Sequence, residues 1–284
     1  MSFSIAARVL LPLAALLLFV AAAGAQGLGD PLAPAAPTPA GAGVEFDHSA
    51  FTALLEEFVE PSGLVDYAGW QARGRERLDA YLRSQQEVSA AGFAGWSPPA
   101  RDAFWINAYN AWTVRLILGD YPVDSIKDLG GFLSSVFSKR FVPLQHLSPR
   151  HRKPLSLGEI EHEILAAGAA APEFHFGIVC ASRSCPPLRR EAYVASRLEA
   201  QLADQARRFL ADPRRNDSRP AGGTLRISKI FDWAEDDFAA RPGGVRGLLR
   251  DFGPLEMLGA AGAAPVRIRY RDYDWSLNAW RPEK

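Results

Sequence analysis

Cys180 and Cys185 are the only cysteines of the chain and stand five positions apart in HFGIVCASRSCPPL, His175–Leu188. A thiol nucleophile needs a base within hydrogen-bond reach and donors for a developing oxyanion, and the chain offers parts for both. His162 and His175 are candidate bases, Glu161 or an asparagine a candidate orienter, and Asn107 or Asn110 a candidate oxyanion donor. Cys185 stands at the exit of a turn, directly before Pro186-Pro187, where free backbone amides could face its sulfur and lower the thiol pKa. Cys180 is the second candidate nucleophile. Such a set would serve a thiol-dependent hydrolase or acyl transferase.

The same pair could close a disulfide. Four intervening residues with a turn can bring the alpha carbons near enough, and closing so small a loop contributes about 2 kcal/mol on the chain-entropy model. An exported chain with an even cysteine count usually oxidises it, so the disulfide is the leading reading for the pair. It would pin the turn or cycle as a redox couple, and it would silence the nucleophile. The third reading is non-catalytic: an envelope binding or interaction domain whose buried polar cluster fixes the fold or holds a small ligand.

Metal spacing is weak. Glu159–Ile164 reads EIEHEI and lacks the second histidine of an HExxH helix. A zinc site from His162, His175 and a cysteine ranks last, and neither a metal nor another cofactor is expected. Trp105, Trp112, Trp233, Trp275 and Trp280 read as core rather than as ligand platforms.

Export is expected from the N-terminus. Residues 1–25 carry Arg8, an apolar run from Val9 to about Ala23, and a small-x-small end at Ala23 and Ala25, which reads as a secretory signal cleaved before Gln26. Residues 26–43, rich in Pro, Ala and Gly, bury too little surface to fold and read as a tether. From residue 44 to 284 the length suits one sizeable domain, with no later apolar run long enough to span a bilayer. Lys+Arg and Asp+Glu both count 32, so a nucleic-acid partner is not expected; a small molecule or a protein is. The basic stretch Ser138–Lys153 reads as a solvated loop.

These residues need a scaffold, and periodicity supplies one. Phe51, Leu54, Leu55 and Phe58 mark a helix stopped by Pro61-Ser62-Gly63, and Leu78, Tyr81 and Leu82 mark a second. Ser97 and Pro98 start a third with a wide apolar band, so it should be central, with Asn107 and Asn110 on one face. Buried asparagines need partners; they either brace loop backbone or line a pocket. Ser156 and Glu159 form a capping box for a helix carrying Glu161 and His162, and Ser196 and Glu199 form another. Glu173–Ala181 reads as a short buried strand, which would put His175 and Cys180 on opposite faces and make His162 the likelier neighbour of Cys185. Strands are also expected within Gly222–Phe231 and from Val266, with Asp232 capping a short helix between them and a further short helix at Gly244–Gly253. The fold class is α+β, a mainly helical body packed around a small, short-stranded sheet.

Five blocks in order, FWINAYNAW, LSLGEIEHEIL, HFGIVCASRSCPPL, ISKIFDWAEDDF and YDWSLN, resemble the domain of unknown function 547 family from about Phe46 to Trp280. Many members carry Cys-Gly where this chain has Cys180-Ala181, and Trp-Tyr where it has Trp233-Ala234. The resemblance implies a shared fold and a shared polar set, Asn107, Asn110, Glu161, His162, His175, Cys180, Ser184 and Cys185, but supplies no reaction.

Overall fold

The helical spacing of Phe51, Leu54, Leu55 and Phe58 becomes helix α1 (Ser49–Phe58), which buries all four. This is a computed structural model that describes residues 45–131, 135–168, 171–259 and 266–281; the signal and tether readings, residues 1–43, lie outside them. Gly63 turns the chain after α1 at φ +82, and a Cβ there would meet Pro187 Cβ at 2.3 Å, so only glycine suits both the turn and the contact. Two short helices, α2 (Tyr67–Arg73) and α4 (Ala90–Ala94), flank the expected α3 (Arg75–Gln86).

Ser97 accepts the Ala100 amide and starts α5 (Pro98–Asp120), the longest helix among the described residues. Its residues are buried on nearly every side from Ala100 to Leu118, as a central helix requires. Around it α1, α3 and α4 build the larger core, with Trp70, Phe104 and Tyr109 fully enclosed.

Ser156 and Glu159 close the expected capping box: the Glu159 amide donates to Ser156 Oγ at 3.2 Å, and Glu159 Oε2 accepts the Ser156 amide at 2.8 Å. The following turns, Glu159–Leu165, wind as a π-helix rather than the expected α-helix, a form met often at functional sites.

The expected strand at Glu173–Ala181 does not form. Pro172–Phe176 is a 3-10 turn, and residues 178–180 belong to no strand. Pro172 starts the turn, and a side chain, Asn110, takes the backbone groups that a strand partner would have taken. The cap at Ser196 is also overturned. Helix α6 (Leu198–Ala211) starts two residues later with no side-chain cap, and Gln201 Oε1 instead accepts the Val194 amide at 3.0 Å.

A smaller core holds the sheet. Strands β1 (Thr224–Ile227) and β2 (Arg267–Tyr270) pair in parallel, Leu225 opposite Ile268, and the chain passes between them through α7 (Ile230–Trp233), α8 (Glu235–Ala239) and α9 (Gly244–Phe252). Asp232 caps no helix; it lies inside α7 and pairs with Lys229 at 2.7 Å. Leu225 and Ile227 pack with Phe209, Phe231, Phe238 and Leu248, apart from the larger core. The fold is α+β and mainly helical. Among the described residues, no helix is long and apolar enough to cross a membrane.

Candidate functional site

The π-helix, the 3-10 turn, α7, Tyr273 and Trp275 enclose a cleft of about 230 Å³. Glu161, His162, His175, Cys180 and Cys185 all line it. Because the strand is absent, the alternation that would have set His175 against Cys180 is lost, and both line the cleft.

The two sulfurs are bonded to each other, with the alpha carbons 6.1 Å apart. Cys180 is half-buried and Cys185 buried. The Cys180 amide donates to Cys185 Sγ at 2.9 Å. Around Cys180 Sγ lie the hydroxyls of Ser182 at 3.3 Å and Tyr273 at 3.2 Å, themselves linked at 3.0 Å. His162, expected beside Cys185, stands exposed in the cleft wall, and the group that meets Cys185 Sγ is the Cys180 amide.

His175 is buried between two carboxylates: Nε2 meets Asp237 Oδ2 at 2.8 Å, and Nδ1 lies 3.6 Å from Glu161 Oε1. The Tyr109 hydroxyl donates to Glu161 Oε2 at 3.4 Å. Burial, and then the Glu161 charge, push the Tyr109 phenol well above its ordinary pKa, so it stays a donor. This arrangement can fix the imidazole and hold or pass a proton. Glu173, next in the turn, is buried against Arg241, which also holds Asp251 at 2.6 Å.

Asn107 and Asn110 do not line the cleft. Asn107 Nδ2 donates to Tyr193 O at 2.8 Å and its Oδ1 accepts the Tyr193 amide at 2.9 Å. Asn110 Nδ2 donates to Gly177 O at 2.9 Å and its Oδ1 accepts the Val179 amide at 2.8 Å. Each side-chain amide donates one bond to backbone and accepts one from it, and so braces one of the two loops that run over α5.

The C-terminal segment clamps the cysteine loop. Arg183 N donates to Ser276 O at 2.9 Å, Asn278 N to Ala181 O at 3.1 Å, and Ser184 N to Asp274 O at 3.2 Å. Ser184 Oγ accepts the Asp274 amide at 2.9 Å, so Ser184 is an anchor beside the cleft rather than a lining group. Ala181 adopts φ 58, the left-handed region; a glycine there would avoid the Cβ cost.

The tryptophans divide. Trp105 is buried as expected, but Trp233 is 51% exposed and lines the cleft with Trp275. The Trp233, Tyr273 and Trp275 ring centroids lie 4.6–5.6 Å apart, a continuous aromatic wall. Tyr109, Tyr273 and the Trp233 wall were missed in the sequence because aromatic residues default to core. The signal was their position inside the FWINAYNAW, ISKIFDWAEDDF and YDWSLN blocks.

Residues 93–210, less than half of the chain, match the model of a family described as Protein of unknown function, DUF547. The chain resembles that family. The match takes in the first three of the five blocks, and with them the central helix, the π-helix and the cysteine loop. The aromatic wall on α7 and the C-terminal segment fall outside it. No curated protein and no solved structure matches the chain.

A DUF547 resemblance names no metal. Among the described residues, His151, Glu159 and Glu163 bring three ligand atoms within 4.8 Å of one another. Arg140 already pairs with Glu159, and Ser148 Oγ meets His151 Nδ1 at 2.7 Å, so hydrogen bonds and an internal cation satisfy this cluster. The other cations of the basic stretch are exposed.

Proposed function

We propose that this domain binds a small ligand in the cleft beside the Cys180–Cys185 bond, and that the chain is exported to an oxidising compartment, the periplasm or the medium. The observation that carries the binding reading is the pairing of the two sulfurs within the wall of an aromatic cleft. With the sulfurs joined there is no thiolate to attack a carbonyl. What the cleft offers is the exposed Trp233 face, the Tyr273 and Trp275 rings, and the Glu161 carboxylate. An apolar wall with a few convergent polar groups is the usual make-up of a small-molecule site. Export is supported by the signal-like residues 1–25 and by a disulfide, which reducing compartments disfavour.

Saturation-transfer NMR with a library of planar and polyhydroxylated compounds tests the binding reading. Hits should compete with one another and vanish in Trp233→Ala. An absence of hits, or hits that survive Trp233→Ala, would overturn it. The mass of the protein recovered from cells tests export: the chain should begin at Gln26, and an intact Met1 in recovered protein would contradict the proposal.

One observation favours a second reading, a thiol-dependent hydrolase or acyl transferase in the reduced state: the Glu161–His175–Asp237 array shares the cleft with both cysteines. Reduced protein should then cleave an activated ester and lose that activity in Cys185→Ser. Equal rates for the two proteins would exclude it.

A further inference from the structure

We propose that Cys180–Cys185 is a thiol–disulfide exchange site opening onto the cleft, with Cys180 the sulfur attacked and Cys185 the sulfur released. Four features of the loop carry this.

The first is access. Cys180 is half-buried in the cleft wall, whereas Cys185 is only 4% exposed, so an incoming sulfur meets Cys180 first. The second is the leaving group. The Cys180 amide already donates to Cys185 Sγ at 2.9 Å, and a fixed N–H of this kind stabilises the thiolate that forms when the bond opens. Arg215, buried and paired with Asp212, donates to the Cys185 carbonyl at 2.6 Å and keeps a guanidinium on that side.

The third is a donor chain to the other sulfur. Ser182 Oγ donates to Tyr273 OH at 3.0 Å, which leaves the phenol proton free for Cys180 Sγ at 3.2 Å. Desolvation raises the Tyr273 pKa, so the phenol keeps its proton where a thiolate would need it. The fourth is that the loop does not need the bond to keep its shape. Ala181, Arg183 and Ser184 are each tied to the C-terminal segment by backbone hydrogen bonds. A bond that closes so short a loop, already held from outside, adds little as a staple.

The chemistry balances with a dithiol as reductant. Its thiolate attacks Cys180 Sγ; a new S–S bond forms, the Cys180–Cys185 bond breaks, and the electron pair leaves on Cys185 Sγ. The second thiolate of the reductant then attacks its own sulfur in the mixed disulfide, and Cys180 leaves as a thiolate. The dithiol loses two electrons and two protons and becomes a disulfide, and the protein pair becomes two thiols.

The test uses the full folded chain purified without reductant. Dithiothreitol should reduce the pair and glutathione disulfide should reoxidise it, with the circular dichroism unchanged throughout. Given glutathione disulfide, Cys185→Ser should form its mixed disulfide about tenfold or more faster than Cys180→Ser, and Tyr273→Phe should slow wild-type reduction by about tenfold. If the variants do not fold, peptide mapping of the wild-type mixed disulfide trapped early with glutathione should find it on Cys180. A pair that resists reduction until the chain unfolds, equal rates for the two single-cysteine variants, or a trapped adduct on Cys185 would each overturn the proposal.

Discussion

Asn110→Ala tests whether the asparagines of the central helix are braces. The side chain is 2% exposed and makes two bonds, to Gly177 O at 2.9 Å and from the Val179 amide at 2.8 Å. Alanine leaves a buried carbonyl and a buried amide without partners, and an unsatisfied buried group costs about 1–3 kcal/mol. The two together give a loss of about 3 kcal/mol, a large share of the roughly 5–15 kcal/mol by which a domain is stable. For a domain of this size that lowers Tm by about 6–12 °C. Urea unfolding followed by tryptophan emission and by circular dichroism measures the change. Asn110→Asp keeps the acceptor for Val179 but sets a carboxylate oxygen against Gly177 O. Its deficit relative to wild type should shrink as the pH falls and the protonated carboxyl can donate again. A loss below about 1 kcal/mol in Asn110→Ala would refute the brace and return Asn110 to the pocket.

Three further outcomes are expected. Burial holds the His48 pKa down at about 4 against an ordinary 6.5, with Asp47 opposing. The folded state therefore keeps His48 neutral while the unfolded chain protonates it, so this stability is whole above about pH 6.5 and falls by roughly 3 kcal/mol as the pH drops towards 4. His48→Gln should flatten that limb of a stability–pH curve, and an unchanged limb would contradict the assignment. Ala181→Gly should raise stability by about 0.5–1 kcal/mol in denaturant titration by removing a Cβ from φ 58; a loss would show that the Ala181 methyl is worth more than its strain. Arg241→Ala strands the buried Glu173 carboxylate and should cost about 3 kcal/mol at pH 7, with most of the deficit gone in Glu173→Gln/Arg241→Ala, both read by thermal unfolding.

Much of the scaffold was legible because it is periodic. Phe51 to Phe58 and the long apolar band after Ser97 declare helices locally, and the Ser156 box needs only its own neighbours. The largest failure has a plain physical cause: a remote partner decided the local form. Glu173–Ala181 has strand composition, yet Asn110, far away in sequence, takes the Gly177 and Val179 backbone groups and the residues stay unpaired. At Ser196 the helix starts two residues later without a side-chain cap, and Gln201 instead accepts the Val194 amide in the turn before it. The candidate site was half legible. Polar residues in a mostly apolar block drew attention to Glu161, His162, His175 and the cysteines, and one cleft collects them. The aromatic wall was not legible, since exposure of Trp233 depends on how α7 meets the C-terminal segment rather than on any pattern of its own.

The most direct test of this account is a thiol count on the protein as cells hold it. Protein alkylated at lysis, then unfolded and titrated without reductant, is predicted to yield no free thiol, with one peptide pair joining Cys180 to Cys185. Two free thiols per chain would contradict the account and restore a cysteine nucleophile to the cleft.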